Sequence, residues 1–450
     1  MPTLMVSISG IRGIIGDGLE PSTIIKYTSA FADLSGRGKI VIGRDARITG
    51  DMVKSIVVGN LLARGNDVID LGICPTPTVL FNIKALNAAG GIAITASHNP
   101  NEWNALKLLN SDGEFLTPEQ NSKMLSLLDK SGTGYSEWDD IGKYSLFPNG
   151  LENHINKVIS QKYIDASKIR KRKFKVLLDC VNGAGSYSMP RLLEEFGCEV
   201  VKINCETNGI FPRNPEPVPE NLTETMNAVK ENNVDLGIVV DPDVDRLVLL
   251  TESGGIFGEE NTISHVVKFL LSKEKGNVVV NLSTTRAVED IAADNGCKVY
   301  RSPVGEANVV KKMKEVNAII GGEGSGGVIY PEVVFGRDAL TGTAITLQHL
   351  LEFGGKMSQL KSLLPEYHIS KKKIEINESN PDFVLEKLAG KFSQGRINTE
   401  DGLRADFNDH WVHFRKSNTE PIIRCIAEAK TKIDADRYIE KYFGEIKNLL

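Results

Sequence analysis

Between Lys39 and Ile320, short apolar runs alternate with stretches of helical period, a rhythm that points to α/β architecture. The runs are Lys39 to Gly43, Gly91 to Thr95, Phe174 to Leu178, Leu236 to Val240, Asn277 to Asn281 and Ala318 to Ile320. Apolar spacing after Pro21 (Ile24, Ile25, Tyr27, Ala30, Phe31) and from Ile263 to Leu271 predicts amphipathic helices between strands. A chain of 450 residues exceeds what one core sustains, and turn-rich breaks near Phe147 to Gly150, Thr251 to Gly258 and Leu364 to Ile369 divide it further. Four domains are expected, at 1–148, 149–254, 255–367 and 368–450. The last, with charge-interleaved apolar residues and a C-terminal helical pattern, reads as α+β.

A net charge of -5 argues against a general nucleic-acid surface and requires any phosphate ligand to be held by a local pocket. No apolar stretch reaches the roughly 18 residues of a membrane span. The six cysteines form no C-x-x-C pair, which predicts free thiols, a soluble chain and a cytoplasmic setting. No membrane or nucleic-acid partner is expected.

Four polar stretches carry the chemistry. In GIAITASHNP the apolar run ends at Thr95, and Pro100 biases Asn99 away from helix, so Ser97 falls at a strand's end. There it is either a turn hydroxyl or a reactive group facing a cleft. In DLGIVVDPDVDRLVLL, alternation in extended backbone would direct Asp241, Asp243 and Asp245 to one side. Three such carboxylates suit a hard cation such as Mg²⁺, and a solvated acidic turn is the plain alternative. The resemblance to a calcium loop fails because Arg246 stands where that loop needs Gly. A start of Asp-x-Asp also admits an aspartyl-phosphate phosphatase with Asp241 as nucleophile, although Asp245 fits that pattern poorly.

In AIIGGEGSGGVIY the spacing Gly322-x-Gly324-x-x-Gly327 matches a dinucleotide fingerprint, but Val328 to Pro331 does not open a helix. Glu323 and Ser325 instead offer an acceptor and a hydroxyl for sugar hydroxyls, with a flexible loop as the alternative. In FRKSNTEPIIR, Arg415 and Arg424 with Ser417, Asn418 and Thr419 make either a dianion clamp or a solvated turn.

Taken in order, ITASHNP, DPDVDR, GGEGSGG and RKSNTEP resemble the four active-site loops of the α-D-phosphohexomutase superfamily, and SGIRG (Ser9 to Gly13) resembles its N-terminal loop. The resemblance implies three α/β domains with mixed sheets plus a C-terminal α+β domain around a central cleft. It implies that Ser97 carries a phosphoryl group, that Asp241, Asp243 and Asp245 bind Mg²⁺ together with a phosphoserine oxygen, and that the last loop grips the substrate phosphate. Arg12, Arg246 and Lys107 are the nearest cations, Lys107 matching the family's general acid/base position. His98 either contributes to catalysis or orients the loop. The implied reaction interconverts 6-phosphosugar and 1-phosphosugar through a sugar bisphosphate, in a monomer or homodimer.

Two departures bear on the sugar. Gly327 follows Gly326 where many relatives carry His, and Val304-Gly305-Glu306 replaces the Thr-Gly-His of the phosphomannomutase/phosphoglucomutase branch. The variant looks more like the phosphoglucosamine mutase group, with Glu306 or Glu323 as a partner for a 2-ammonium group, and the phosphomannomutase/phosphoglucomutase branch as the alternative.

Overall fold

The computed structural model describes residues 3–130, 134–376, 380–392, 395–416 and 422–449. They form two compact units, Met1–Phe269 with Ser325–Lys361, and Leu270–Gly324 with Ser362–Leu450. This two-way division is coarser than the expected four domains and runs inside 255–367.

In the first unit a mixed sheet runs in the order Met5–Ser7, Gly10–Ile15, Trp103–Leu109, Gly90–Ile94, Lys39–Arg44, Asp67–Ile73, Tyr144–Leu146. Strands Lys39–Arg44 and Gly90–Ile94 are parallel, so both finish at the same edge of the sheet. Trp103–Leu109 returns antiparallel after a polar turn, and Lys107 lies opposite Ala93. Apolar residues fill both faces of the central strands because helices cover both. Ile40, Ile42, Ile92 and Ile94 pack with Ile24, Phe31, Val57 and Leu61 of helices Pro21–Ser35 and Gly50–Ala63. Helix Thr76–Ala85 lies so close that a Cβ on Gly91 would stand 2.5 Å from Ile83 Cδ1. That proximity accounts for glycine within an otherwise branched-apolar strand.

A second sheet in this unit orders Glu199–Ile203, Lys175–Asp179, Leu236–Val240 and Leu247–Thr251, the last pair antiparallel. Asp241 to Arg246 are the turn between its last two strands.

In the second unit, Asn277–Asn281 is flanked by parallel strands Val299–Ser302 and Ala318–Glu323. An antiparallel sheet follows: His368–Glu375, Ile422–Ala429, His410–Lys416, Leu403–Asp406, Arg396–Asn398. Helices Pro381–Ala389 and Lys432–Lys447 supply Leu388, Ile439, Tyr442 and Ile446 to a core with Ile374, Phe414 and Ile423. The guanidinium of Arg404, buried over the Trp411 ring at 4.3 Å, bonds both Asp406 oxygens and the Leu282 carbonyl. All six cysteines are unpaired, and among the described residues no helix is long and apolar enough to cross a membrane.

Candidate active site

Ser97 stands three residues beyond strand Gly90–Ile94 with φ +51°, a conformation L-residues adopt rarely and only where surroundings enforce it. The enforcing groups come from the parallel strand's end. Arg47, fully buried, donates from Nη2 to the carbonyls of Ser97 and Asn99 (both 2.7 Å) and from Nη1 to that of Pro100. Its Nε pairs with Asp45 Oδ2 at 2.9 Å, and the same oxygen accepts from Thr95 Oγ1 at 2.7 Å. Thr95 Oγ1 in turn accepts from the Ser97 amide at 3.0 Å. The loop is therefore shaped through its backbone, leaving the serine hydroxyl to point elsewhere: Oγ donates to Asp241 Oδ2 at 2.9 Å.

The three aspartates converge, but not by extended-strand alternation. Val244 adopts φ +61°, held by Val244 N to Asp241 O (3.1 Å) and Ala339 N to Val244 O (3.1 Å), so a tight turn gathers the carboxylates. Close hydrogen-bonding from neighbouring segments overrides the extended preference that Pro242 and the apolar flanks suggest. Asp241 Oδ1 accepts from the Asp245 and Arg246 amides at 3.1 Å each. Asp243 Oδ2 accepts from Lys107 Nζ and Thr76 Oγ1, both at 2.6 Å. Asp245 Oδ2 accepts from Arg337 Nη2 at 2.6 Å and Lys107 Nζ at 3.3 Å.

Two oxygens remain over. Asp243 Oδ1 and Asp245 Oδ1 are buried and accept no hydrogen bond from the described residues. One ligand oxygen from each of the three aspartates lies within 4.8 Å of the others. Buried acceptors without donors are costly, and an all-oxygen donor set without thiolate or imidazole fits a hard divalent cation.

The electrostatics follow from this packing. Burial, then the neighbouring Asp245 and Asp243 charges, pushes the Asp241 carboxyl well above the carboxylate range. Asp243 also suffers burial, yet Lys107 and the Thr76 hydroxyl hold its carboxyl below that range. For Lys107, burial favours the neutral amine, but Asp243 and Asp245 outweigh it and keep it charged. Burial, with Arg246 and Arg12 nearby, lowers His98 to about 2, so its imidazole is neutral at ordinary pH. Its Nδ1 lies 3.4 Å from Ser97 Oγ. Arg12 Nη1 donates to Asn99 Oδ1 at 3.0 Å, and burial lowers its guanidinium. Arg246 extends towards Glu216 at 3.6 Å.

The first unit thus gathers Ser97, His98, Lys107, Arg12, Asp241, Asp243, Asp245 and Arg246. Ser325 is half-buried in the same unit, one residue before Gly326, whose φ is +87° and whose carbonyl accepts from Leu247 N at 2.9 Å. A Cβ on Gly326 would meet Leu247 O at 2.5 Å, so that glycine serves close backbone approach.

The second unit holds Glu323, Arg415 and Arg424. Glu323 Oε1 accepts from Asn281 Nδ2 (2.8 Å) and Gly305 N (3.1 Å), tying strand ends to the Val304-Gly305-Glu306 segment. Asp401 Oδ2 accepts from Val304 N (2.9 Å) and pairs with Arg415 Nε (2.8 Å). Arg415 and the exposed Arg424 are cross-strand partners, presenting two guanidiniums to one face. Ser417, Asn418 and Thr419 lie outside the described residues.

His413 props this region. Its Nε2–H donates to Asp401 O at 2.7 Å, so Nδ1 accepts from Ser283 Oγ at 2.9 Å. Burial lowers the ring to about 4. The unfolded chain binds this proton below about pH 6.5 whereas the folded chain does not until about 4. Stability therefore falls as pH drops through that window, by up to about 1.4 kcal/mol per pH unit from this group. His413→Gln is expected to flatten the corresponding part of the pH dependence of the melting temperature between pH 4 and 6.5. An unchanged slope would contradict the assignment.

Sequence reasoning missed Arg47, Asp45, Thr76 and Arg337. The signal for the first two was the GRDARITG stretch at the end of strand Lys39–Arg44, on the same sheet edge as Ser97 because the strands are parallel. Thr76 and Arg337 carried no such local cue.

Four family signatures match in order: phosphoglucomutase/phosphomannomutase alpha/beta/alpha domain I over residues 5–133, domain II over 152–255, domain III over 260–367, and the C-terminal domain over 373–444. The chain belongs to the phosphoglucomutase/phosphomannomutase family, within the α-D-phosphohexomutase superfamily, and its class is that of isomerases acting as intramolecular phosphotransferases. It is 38% identical over 443 residues to a protein of Thermococcus kodakarensis named phosphoglucomutase/phosphomannomutase, covering 96% of each chain. It is 33% identical over 428 residues to a protein of Methanopyrus kandleri named probable phosphoglucosamine mutase, covering 94% of this chain and 93% of that one. The fold matches the crystal structure of a phosphoglucomutase/phosphomannomutase family protein from Burkholderia thailandensis, with TM-score 0.86, 24% identity, and coverage of 99% and 98%.

Proposed function

We propose that the chain interconverts the 6- and 1-phosphates of an aminohexose, glucosamine phosphate, with Ser97 as the phosphoryl carrier. The carrying observation is the Ser97 hydroxyl, backbone-fixed by Arg47 and hydrogen-bonded to an aspartate whose two neighbours each keep an oxygen that accepts no hydrogen bond among the described residues. Asp241, Asp243 and Asp245 would hold Mg²⁺ with a phosphate oxygen on Ser97, and the ion would neutralise charge on the transferring phosphoryl group.

In the transfer, the Ser97 Oγ–P bond breaks as a bond forms from phosphorus to a sugar hydroxyl oxygen. That hydroxyl's proton must leave, and Lys107 is the assigned base: once substrate binding loosens its ion pairs the ammonium gives up a proton, the neutral amine takes the hydroxyl's proton, and the departing Ser97 oxygen takes up a proton in turn. The resulting sugar bisphosphate reorients and returns its other phosphoryl group to Ser97. Arg12, His98 and Arg246 line the reacting end. Glu323 and Ser325 read sugar hydroxyls, while Arg415, Ser417, Asn418, Thr419 and Arg424 grip the phosphate that is not reacting. The unpaired cysteines support a reducing, cytoplasmic setting.

The sugar rests on Val304-Gly305-Glu306 and on Glu323, a buried carboxylate anchored to that segment, which suits a 2-ammonium group. The Methanopyrus relative's name supports it, and the Thermococcus relative's name favours glucose and mannose phosphates as the second reading. A phosphatase acting through Asp241 fits less well, since both its oxygens already accept hydrogen bonds. In direct competition, kcat/KM for glucosamine phosphate is expected to exceed that for glucose and mannose phosphates by about tenfold or more. Equal or greater efficiency with mannose phosphate would transfer the assignment to the second reading.

A further inference from the structure

Away from the reacting groups, three buried side chains form a hydrogen-bonded array. Thr78 Oγ1 lies 3.0 Å from His154 Nδ1, and His154 Nε2 lies 3.2 Å from Asp338 Oδ2. All three are completely buried, so no substrate reaches the threonine and the array is not a nucleophile with its base. A carboxylate of this kind accepts, so His154 Nε2–H donates to Asp338, and Nδ1 is left to accept from the Thr78 hydroxyl. The ring is further fixed by stacking on Phe81 at 5.3 Å.

Each end of the array belongs to a helix that touches the acidic turn. Thr78 is in helix Thr76–Ala85, whose first residue donates to Asp243 from both its amide (2.9 Å) and its hydroxyl (2.6 Å). Asp338 caps helix Ala339–Phe353, accepting from the Leu340 amide at 3.0 Å and the Thr341 amide at 3.2 Å. The helix's first amide donates to Val244 O at 3.1 Å, and Arg337, immediately before the cap, pairs with Asp245 at 2.6 Å. His154, on helix Gly150–Ile159, therefore links two helix starts, one bonded to Asp243 and the other to the 244–245 segment. A neutral imidazole holds a donor and an acceptor on one rigid ring, which suits this span.

We propose that His154 is a positioning residue for the cation site: through Thr78 and Asp338 it fixes the carboxylates of Asp243 and Asp245 in the arrangement that binds the metal. The inference rests on the reading that the three aspartates hold a divalent cation.

The test measures binding of Mn²⁺, as a paramagnetic probe, to the full chain by electron paramagnetic resonance, in parallel with kcat and KM. His154→Phe keeps a ring of similar volume and removes both hydrogen bonds, and it is expected to weaken Mn²⁺ binding about five- to tenfold, near the low end of effects for groups that orient metal ligands. The accompanying loss should be in kcat, with KM for the phosphosugar nearly unchanged. His154→Gln, whose amide can reach Asp338 but not both partners, should fall between wild type and His154→Phe. Ile155→Ala, which truncates a fully buried apolar side chain on the same helix, controls for lost stability and should leave Mn²⁺ affinity as in wild type. Wild-type Mn²⁺ affinity in a folded His154→Phe protein would overturn the proposal, as would equal weakening in Ile155→Ala. If His154→Phe does not fold, His154→Gln against Ile155→Ala decides alone, and equal affinities there overturn it. A wild-type chain with no saturable Mn²⁺ binding abolished by Asp243→Asn would overturn the cation reading itself, and this inference with it.

Discussion

Ser97→Ala is expected to remove mutase turnover by about 10³-fold or more while leaving a folded protein. The activity goes because alanine offers no oxygen to carry the phosphoryl group, whatever the surrounding charges do. The fold survives because the loop is held through main-chain atoms: Arg47 binds the carbonyls of residues 97, 99 and 100, and Thr95 binds the amide of residue 97. Alanine must keep φ near +51°, but serine pays no smaller steric penalty there, so the exchange adds little strain. The hydrogen bond to Asp241 and the longer contact with His98 Nδ1 are lost, and Asp241's carboxyl, already biased towards its neutral form, tolerates the first loss. The checks are a coupled assay with glucosamine, glucose and mannose phosphates, a thermal melt, and intact mass after incubation with sugar bisphosphate. Wild type should gain one phosphoryl group and Ser97→Ala none. Near-wild-type turnover in Ser97→Ala would exclude serine as carrier, and loss of turnover confined to Asp241→Asn would point to the phosphatase chemistry instead.

What was legible in the sequence was what depends on local pattern. Strands such as Leu236–Val240 and Asn277–Asn281 announce themselves because a strand covered on both faces is a continuous apolar run. Ser97 was legible as a strand-end residue, since the run stops and a Pro follows. Lys107 was harder: alone it reads as a solvated helix lysine, whereas it lies in strand Trp103–Leu109 with its ammonium buried between two carboxylates. Its burial is set by partners more than 130 positions away, which no window on the chain displays. The acidic turn was legible in composition and not in shape, because Val244's positive φ is imposed by Ala339. Arg47, Arg337 and His154 act at similar removes, so topology rather than local sequence brings them to the site.

The same charge arrangement predicts opposite stability effects from two substitutions that look alike. Asp243→Asn breaks a buried ion pair in which Lys107 Nζ is 2.6 Å away, leaving the ammonium with Asp245 alone at 3.3 Å. Unbalancing a buried pair is costly, and a loss of about 3 kcal/mol is expected. Among the described residues Asp241 pairs with no cation at hydrogen-bond distance; its oxygens accept from two amides and one hydroxyl, and its charge is opposed by burial and by Asp245 and Asp243. Asparagine keeps an acceptor for those amides and has no charge to bury beside Asp243 and Asp245, so metal-free Asp241→Asn should melt at or above the wild-type temperature. Both variants should nevertheless lose most activity and most of the Mg²⁺-dependent rise in melting temperature, because each removes a charged oxygen from the cation site and ligand-linked stabilisation vanishes with affinity. Melts with chelator and with excess Mg²⁺ separate the two effects. If Asp241→Asn in chelator is destabilised as much as Asp243→Asn, repulsion among the three carboxylates is not what governs this turn. If either variant keeps the full Mg²⁺ response, that carboxylate is not a ligand.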